Sequence, residues 1–213
     1  MSKEQHVLKT GTTTLGIVAK DGIVMAADKR ATVGNQIIVS KLTKVIKIGR
    51  RFVITIAGTA SDAVMLGRQI TAELKLKELR SGNEVTVKEA ANLLAQFVYA
   101  NIRQPSTIQG ITHFLLAGYD KTGAYLYDVF PDGSITEIDT YFSSGSGSVF
   151  AYGVLDAKYG EDMSVEEATS VAKDAIRAAV KRDSASGNGY DVVVVRKDAI
   201  EDVASVMFNT TEE

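Results

Sequence analysis

The chain reads as an α+β domain in which packed β-sheets are covered by helices on both sides. Three observations predict this. β-rich runs and helical patterns come in the order strands, two helices, strands, two helices, strand. An Asp21-Gly22 turn joins two β-rich runs, and capping boxes at Thr86-Val87-Lys88-Glu89 and Ser164-Val165-Glu166-Glu167 each open a helix. No repeat, low-complexity tract or linker interrupts the 213 residues, so one domain with a substantial core is expected.

The elements follow in order. Residues 13–19 and 23–28 are β-rich and form a hairpin across Lys20-Asp21-Gly22, and Asp28-Lys29-Arg30 closes the second strand with three charges. Residues 37–39 and 45–48 read as short strands, and Phe52 to Ala57 is a near-continuous apolar run suited to a buried one. Small and capping residues after Gly58 lead into a helix over 61–80, with Leu66, Ile70 and Leu74 on one face. The next helix carries Val87, Ala91, Leu94 and Val98 at helical spacing and ends before Gln104-Pro105. Residues 114–119, 125–130 and 135–139 form a meander whose turns contain Thr122-Gly123 and Asp132-Gly133.

Residues 141–148 (YFSSGSGS) read as a flexible small-residue loop before a helix that starts near Val149, carries Phe150, Val154 and Leu155, and stops at Gly160. The last helix presents Val165, Ala168, Ala172, Ala175 and Ala179, a face of small residues suited to close packing. Residues 183–187 read as a polar turn, 191–195 as the last buried strand, and 208–213 as a frayed tail.

Composition narrows the function. Hydrophobic residues make up 45% and charged residues 23%, ordinary globular values. A net charge of −2 argues against nucleic-acid binding, which usually brings a basic excess. Without cysteine there is no disulfide, Cys-zinc site or thiol nucleophile. His6 and His113 have no metal-ligand spacing, so neither a metal nor a cofactor is expected, and His113 among apolar residues reads as structural. That disfavours a His-based triad. No apolar run approaches the roughly 18 residues of a membrane span. Residues 1–11 lack a hydrophobic stretch and read as a short polar pro-segment or tail, not a secretory signal, which leaves the cytoplasm as the default location.

Gly11-Thr12-Thr13-Thr14 stands apart. Threonine opens strands well, and that alone accounts for the stretch. The sharper reading is a cleavage point between Gly11 and Thr12. A threonine hydroxyl needs a base beside it, and an N-terminal threonine carries its own amine, with a reference pKa of about 7.7–8.0. Glycine before it leaves the scissile carbonyl open to attack. Gly58, between a buried strand and a helix start, is a place where backbone N–H groups can bind an oxyanion, although a simple strand–helix turn reads the same way.

Taken together, the motifs resemble those of proteasome β subunits, most closely the archaeal 20S type, over nearly the whole chain. They are Gly11-Thr12-Thr13-Thr14, Lys20-Asp21-Gly22, Ala26-Ala27-Asp28-Lys29-Arg30, Lys44, Ala57-Gly58, Gly145-Ser146-Gly147-Ser148 and Arg182-Asp183-Ser184-Ala185-Ser186-Gly187. Each is weak alone; their shared order and spacing make the signal. The resemblance implies a four-layer αββα sandwich of two antiparallel β-sheets flanked by helices, the N-terminal nucleophile hydrolase fold. It implies a threonine endopeptidase that hydrolyses unfolded proteins inside a closed chamber.

The resemblance also places roles. Thr12 falls on the nucleophile exposed by autocatalytic cleavage after Gly11, with residues 1–11 removed and 12–213 forming the single domain. Lys44 falls on the catalytic lysine and Asp28 on its carboxylate partner; without that match Lys44 reads as a solvated strand residue near Lys41 and Lys47. Gly58 falls on the oxyanion-hole donor, a contribution of roughly 10²–10³ in rate. Ser146, Asp183 and Ser186 fall on polar residues around the N-terminal amine. Ala31, Ile46, Ile56, Ala60 and Val64 fall on the pocket for the residue before the cut, and their apolar character favours hydrophobic residues there. Thr32 and Gly58 fall where an extended substrate strand pairs.

Implied partners are α-subunit rings, further β subunits in heptameric rings stacked α7β7β7α7, and a separate ATP-dependent unfoldase. The chain itself has no Gly-rich Lys-Ser/Thr phosphate loop. Other readings are a silent structural β-ring subunit, the bacterial two-component peptidase ring, and a small-amide hydrolase of the same superfamily. The complete Thr12, Asp28 and Lys44 set weighs against the silent subunit.

Overall fold

The computed structural model describes residues 11–107, 109–197 and 199–208. The expected pro-segment falls almost wholly outside them. Strands β1 (Thr14–Ala19) and β2 (Gly22–Asp28) form the hairpin expected around Asp21-Gly22. β3 (Ala31–Val33) and β4 (Gln36–Val39) make a separate small hairpin. β5 (Val45–Ile48) and β6 (Phe52–Gly58) follow, then helices α1 (Ala60–Ser81) and α2 (Val87–Ile102). β7 (Thr112–Asp120), β8 (Gly123–Val129) and β9 (Ile135–Ile138) form the meander. β10 (Tyr141–Ser144), α3 (Ser148–Lys158), α4 (Val165–Arg182), β11 (Gly189–Val195) and β12 (Ile200–Met207) complete the described chain.

Two five-stranded antiparallel sheets result. One has the order β10-β1-β2-β11-β12 and the other β5-β6-β7-β8-β9. They face each other across an apolar layer that includes Ile23, Met25, Ala27, Val53, Leu115, Leu126 and Val193. The outer face of the first sheet packs on α3 and α4 through residues such as Leu15, Val24, Val192, Ala172 and Ile176. The second packs on α1 and α2 through Ile54, Phe114, Leu116, Ile70 and Leu94. This is the expected four-layer sandwich. It explains why β6 reads as a near-continuous apolar run and why β2 is buried along its whole length: alternate side chains point to opposite faces, and here both faces are buried. Both capping boxes form, at Thr86 with Glu89 and at Ser164 with Glu167.

Three sequence expectations need correction. Residues 141–144 are not loop but an edge strand, pairing Thr14 with Ser144 and Ile17 with Tyr141. β11 is not the last strand; β12 pairs with it along its length. Its alternation of exposed and half-buried residues is that of an edge strand with one covered face. Phe208, placed in the frayed tail, packs its ring on Tyr190 at 5.7 Å and donates its N–H to Asn188. Residues 209–213 lie outside the described residues. Of the residues expected on α3, Leu155 is buried and Val154 packs against the core, whereas Phe150 is exposed and Ala151 is buried. Among the described residues no helix is long and apolar enough to cross a membrane.

Stability tests follow from these layers. Leu115→Ala, in the fully buried inter-sheet layer, lowers the unfolding free energy by about 2–5 kcal/mol. Ser164→Ala, which removes one capping hydroxyl, costs about 1 kcal/mol. Denaturant titration of both variants checks the ranking; equal shifts mean that the layer is loosely packed.

Candidate active site

The charged end of β2 is the structural centre of the site. Asp28 is fully buried, and each of its oxygens accepts two hydrogen bonds. Oδ1 accepts from the Thr13 N–H at 2.9 Å and from Lys44 Nζ at 2.7 Å. Oδ2 accepts from the backbone N–H groups of Arg30 and Gly187, both at 3.0 Å. Lys44 precedes β5 and is 1% exposed, so it is not the solvated strand residue that its lysine-rich neighbourhood suggests. Its Nζ also donates to Thr12 Oγ1 at 3.1 Å. Burial pushes the Lys44 ammonium below its ordinary range, opposed by the Asp28 charge and hydrogen bond. Burial likewise pushes Asp28 up, opposed by Lys44 and the backbone donors.

Thr12 lies just before β1 and is 5% exposed. Thr12 N is a peptide N–H, joined to the Gly11 carbonyl carbon. It donates to Ser146 Oγ at 3.2 Å. Ser146 donates to Asp183 Oδ2 at 2.6 Å, and Ser186 Oγ donates to the same oxygen at 2.6 Å. Thr13 Oγ1 lies 2.7 Å from Ser186 Oγ. Because both hydroxyls of this cradle give their protons to Asp183, their lone pairs face the Thr12 and Thr13 side.

The Thr12 hydroxyl donates to the Gly11 carbonyl at 2.6 Å, and the Gly11 N–H donates to Thr32 Oγ1 at 3.0 Å. A Cβ on Gly11 would fall 1.8 Å from Ala185 Cβ, so the seat accepts only glycine without movement. Gly58 ends β6 at φ +93°, where a Cβ would meet the Ile111 carbonyl at 2.1 Å. The close approach to residue 111 sets the glycine requirement.

Gly11, Thr12, Lys44 and Gly58 line one cavity of about 290 Å³. Ala31, Thr32, Ile56 and Ala60 line it as expected. Ile46 and Val64 do not. They are half-buried and pack against the core under α1 and α2. The opposite wall comes from the β3–β4 hairpin and its exit, through Val33, Ile38, Val39 and Leu42. Sequence reasoning missed these residues, although the run Ile37-Ile38-Val39 carried a signal: all three are exposed apolar side chains.

Arg30 was also missed. All three residues of Asp28-Lys29-Arg30 are buried, where charges closing a strand read as solvated. Arg30 Nε donates to Asn188 Oδ1 at 2.8 Å, and Nη1 donates to the Ser184 carbonyl at 3.1 Å, which holds the turn that carries Asp183 and Ser186. Lys29 pairs with Asp191 and donates to Ser205 Oγ at 3.1 Å.

An αββα sandwich with a threonine at the head of β1, contacted by a buried lysine and a serine–aspartate cradle, is the architecture of an N-terminal nucleophile hydrolase. A profile described as "Proteasome subunit" matches residues 8–195. The curated "Proteasome subunit beta" of Ferroglobus placidus is 45% identical over 193 residues, 90% of each chain. The one of Methanocorpusculum labreanum is 41% identical over 201 residues, 94% of this chain and 93% of the relative. "Proteasome subunit beta 2" of Aeropyrum pernix is 41% identical over 193 residues, 90% of this chain and 85% of the relative. The chain therefore belongs to the proteasome subunit family. It is a catalytic β-type subunit of the 20S core and a threonine peptidase, and subunits of this type assemble with α subunits into stacked rings.

The buried pair has a measurable asymmetry. Lys44→Met leaves Asp28 as an uncompensated buried charge and destabilises the chain by about 3–5 kcal/mol. Adding Asp28→Asn to Lys44→Met recovers part of that loss, so the double variant unfolds at higher denaturant than Lys44→Met alone. Additive losses in the two variants would show that the ion pair is not a coupled unit.

Proposed function

We propose that Thr12 is the nucleophile of this peptidase and that it is released by cleavage between Gly11 and Thr12. The observation that carries the reading is Lys44, fully buried, with one ammonium reaching both Asp28 Oδ1 and Thr12 Oγ1. A cation at that distance favours the ionised hydroxyl. Before the cut Thr12 has no free amine, and among the described residues Lys44 is the titratable group in contact with its hydroxyl. Oγ attacks the Gly11 carbonyl carbon, its proton ends on the peptide nitrogen, which leaves as the Thr12 amine, and water then hydrolyses the ester, freeing residues 1–11 with a carboxyl on Gly11.

In the cut chain the amine takes the place of the present N–H beside Ser146, with Asp183 and Ser186 behind it. It accepts the hydroxyl proton when Oγ attacks a substrate carbonyl. The Gly58 backbone stabilises the resulting oxyanion. Substrates are unfolded polypeptides, delivered by an ATP-dependent regulator in the cytoplasm. Thr32 and Gly58 pair with the extended chain. The cavity beside Thr12 is walled by Ala31, Ile56, Ala60, Val33 and Ile38, which favours a hydrophobic residue before the cut.

Intact mass of the chain, expressed alone and with an α subunit, tests this. Loss of residues 1–11 is expected in assembled rings, and Thr12→Ala is expected to remain full length and hydrolyse no peptide. Full-length wild-type chain in assembled, peptide-cleaving rings would overturn Thr12 as the nucleophile. Among fluorogenic peptides, those with Leu or Phe before the cut turn over faster than those with Asp or Arg.

A further inference from the structure

Outside the site described above, the described residues hold a second polar chain that the mechanism does not use. His113 on β7 places Nε2 2.5 Å from Asp128 Oδ1 on β8 and Nδ1 2.6 Å from Ser144 Oγ on β10. A carboxylate accepts and does not donate, so Nε2–H donates to Asp128, and Nδ1 shares a hydrogen bond with the Ser144 hydroxyl. The set has the composition of a Ser-His-Asp triad, but Ser144 and Asp128 are 5% and 6% exposed, so its hydroxyl meets no substrate. Phe130 and Phe142 present ring edges to the imidazole at 5.1 and 6.1 Å. Rings on two sides and hydrogen bonds at both nitrogens leave it one orientation.

Its position gives the set a purpose. β7 and β8 belong to one sheet and β10 to the other, so the ring crosses the sandwich. On its own sheet His113 is paired with Ala57, and its neighbour Thr112 with Gly58, the end of the strand that carries the oxyanion position. The preceding residue, Ile111, accepts the Thr59 N–H at 2.8 Å. On the far sheet Ser144 is paired with Thr14 and lies two residues before Ser146. The intervening Gly145 has φ +93°, and a Cβ there would meet the Thr12 carbonyl at 2.1 Å. One imidazole thus joins the strand under Gly58 to the turn that holds Thr12 N.

We propose that His113, held by Asp128, is a positioning residue for the peptidase reaction: through Ser144 it fixes the Ser146 turn relative to the Gly58 strand. The inference rests on the roles assigned above to Ser146 and Gly58. It predicts an effect on the chemical step. The acyl-forming geometry needs the cradle on one sheet and the oxyanion donor on the other at a fixed separation, while the side of the cavity formed by Val33, Ile38 and Val39 belongs to the separate β3–β4 hairpin.

The test is steady-state peptide hydrolysis by rings assembled with the α subunit, with intact mass confirming loss of residues 1–11 in every variant. Ser144→Ala removes the hydroxyl and leaves the ring; His113→Gln reaches Asp128 but not Ser144. Each is expected to lower kcat by about 2- to 12-fold with KM within about twofold, the size of one net hydrogen bond. The double variant is expected to be no slower than the slower single. His113→Asn, whose amide oxygen lies near the Nδ1 position, is expected to restore most of kcat. Wild-type kcat in Ser144→Ala or in His113→Gln, losses that multiply in the double variant, or a change confined to KM would each overturn the proposal. Failure of wild-type rings to cleave at Gly11–Thr12 would instead count against the reading of Thr12.

Discussion

The ion pair between Asp28 and Lys44 is the constraint on which the site depends. Taking two charges out of water costs several kcal/mol for each, and attraction alone does not reliably offset it. Here the carboxylate is also given three backbone N–H groups, from Thr13, Arg30 and Gly187. These donors come from the entry to β1, the exit of β2 and the turn after α4, while Lys44 comes from the entry to β5. The pair is stable only when all four segments are in place, so its desolvation cost becomes a condition on the fold. It also delivers an ammonium to Thr12 Oγ1, with burial lowering its hold on the proton and Asp28 opposing that push.

How much of this the sequence announced depended on how local the signal was. Capping boxes, the Asp21-Gly22 hairpin and the buried runs of β2 and β6 are set by residues within a few positions, and all of them formed. The edge strands were lost for a physical reason. β10 is Tyr-Phe-Ser-Ser, with its two serines buried by a partner strand more than a hundred residues away, and nothing local distinguishes that from a loop. Burial of charge was equally invisible. Lys29 and Arg30 read only as charges that close a strand, and it is Asn188, Ser184 and Asp191, from the far end of the chain, that bind them there. Thr12, Asp28, Lys44, Ser146, Asp183, Ser186 and Gly58 were legible as a set through motif order, and the structure brings them together. The outer wall of the cavity was not, because β3 and β4 pack against neither main sheet's core and Ile46 and Val64 face the helices.

The sandwich itself raises a further constraint. The layer between the sheets is apolar, and the hydrophobic effect is non-directional: it holds the sheets together without fixing their relative position to a fraction of an ångström. The reaction proposed above needs such precision, since Thr12 and its cradle belong with one sheet and Gly58 with the other. Close packing supplies some of it, as where a Cβ on Gly16 would fall 2.9 Å from Leu126. Directional groups must supply the rest. Among the described residues, polar side-chain ties between the sheets' strands and their approaches include Lys44 to Asp28, His113 to Ser144, and Lys47 to Asp202.

These ties are not equal. Lys47 and Asp202 are exposed, and such pairs contribute little and fix little. Lys44 and Asp28 are buried, and Lys44 touches the Thr12 hydroxyl itself. The His113 tie is the intermediate case, closed in by two aromatic edges and saturated at both nitrogens. Lys44 is anchored to β6 by its own carbonyl, which accepts the Ile56 N–H, and His113 sits opposite Ala57 on the next strand. Both buried ties therefore grip the second sheet within two residues of Gly58. Two anchors near one end of a sandwich fix both shift and rotation there, where a single anchor would leave the sheets free to pivot. That end carries Thr12.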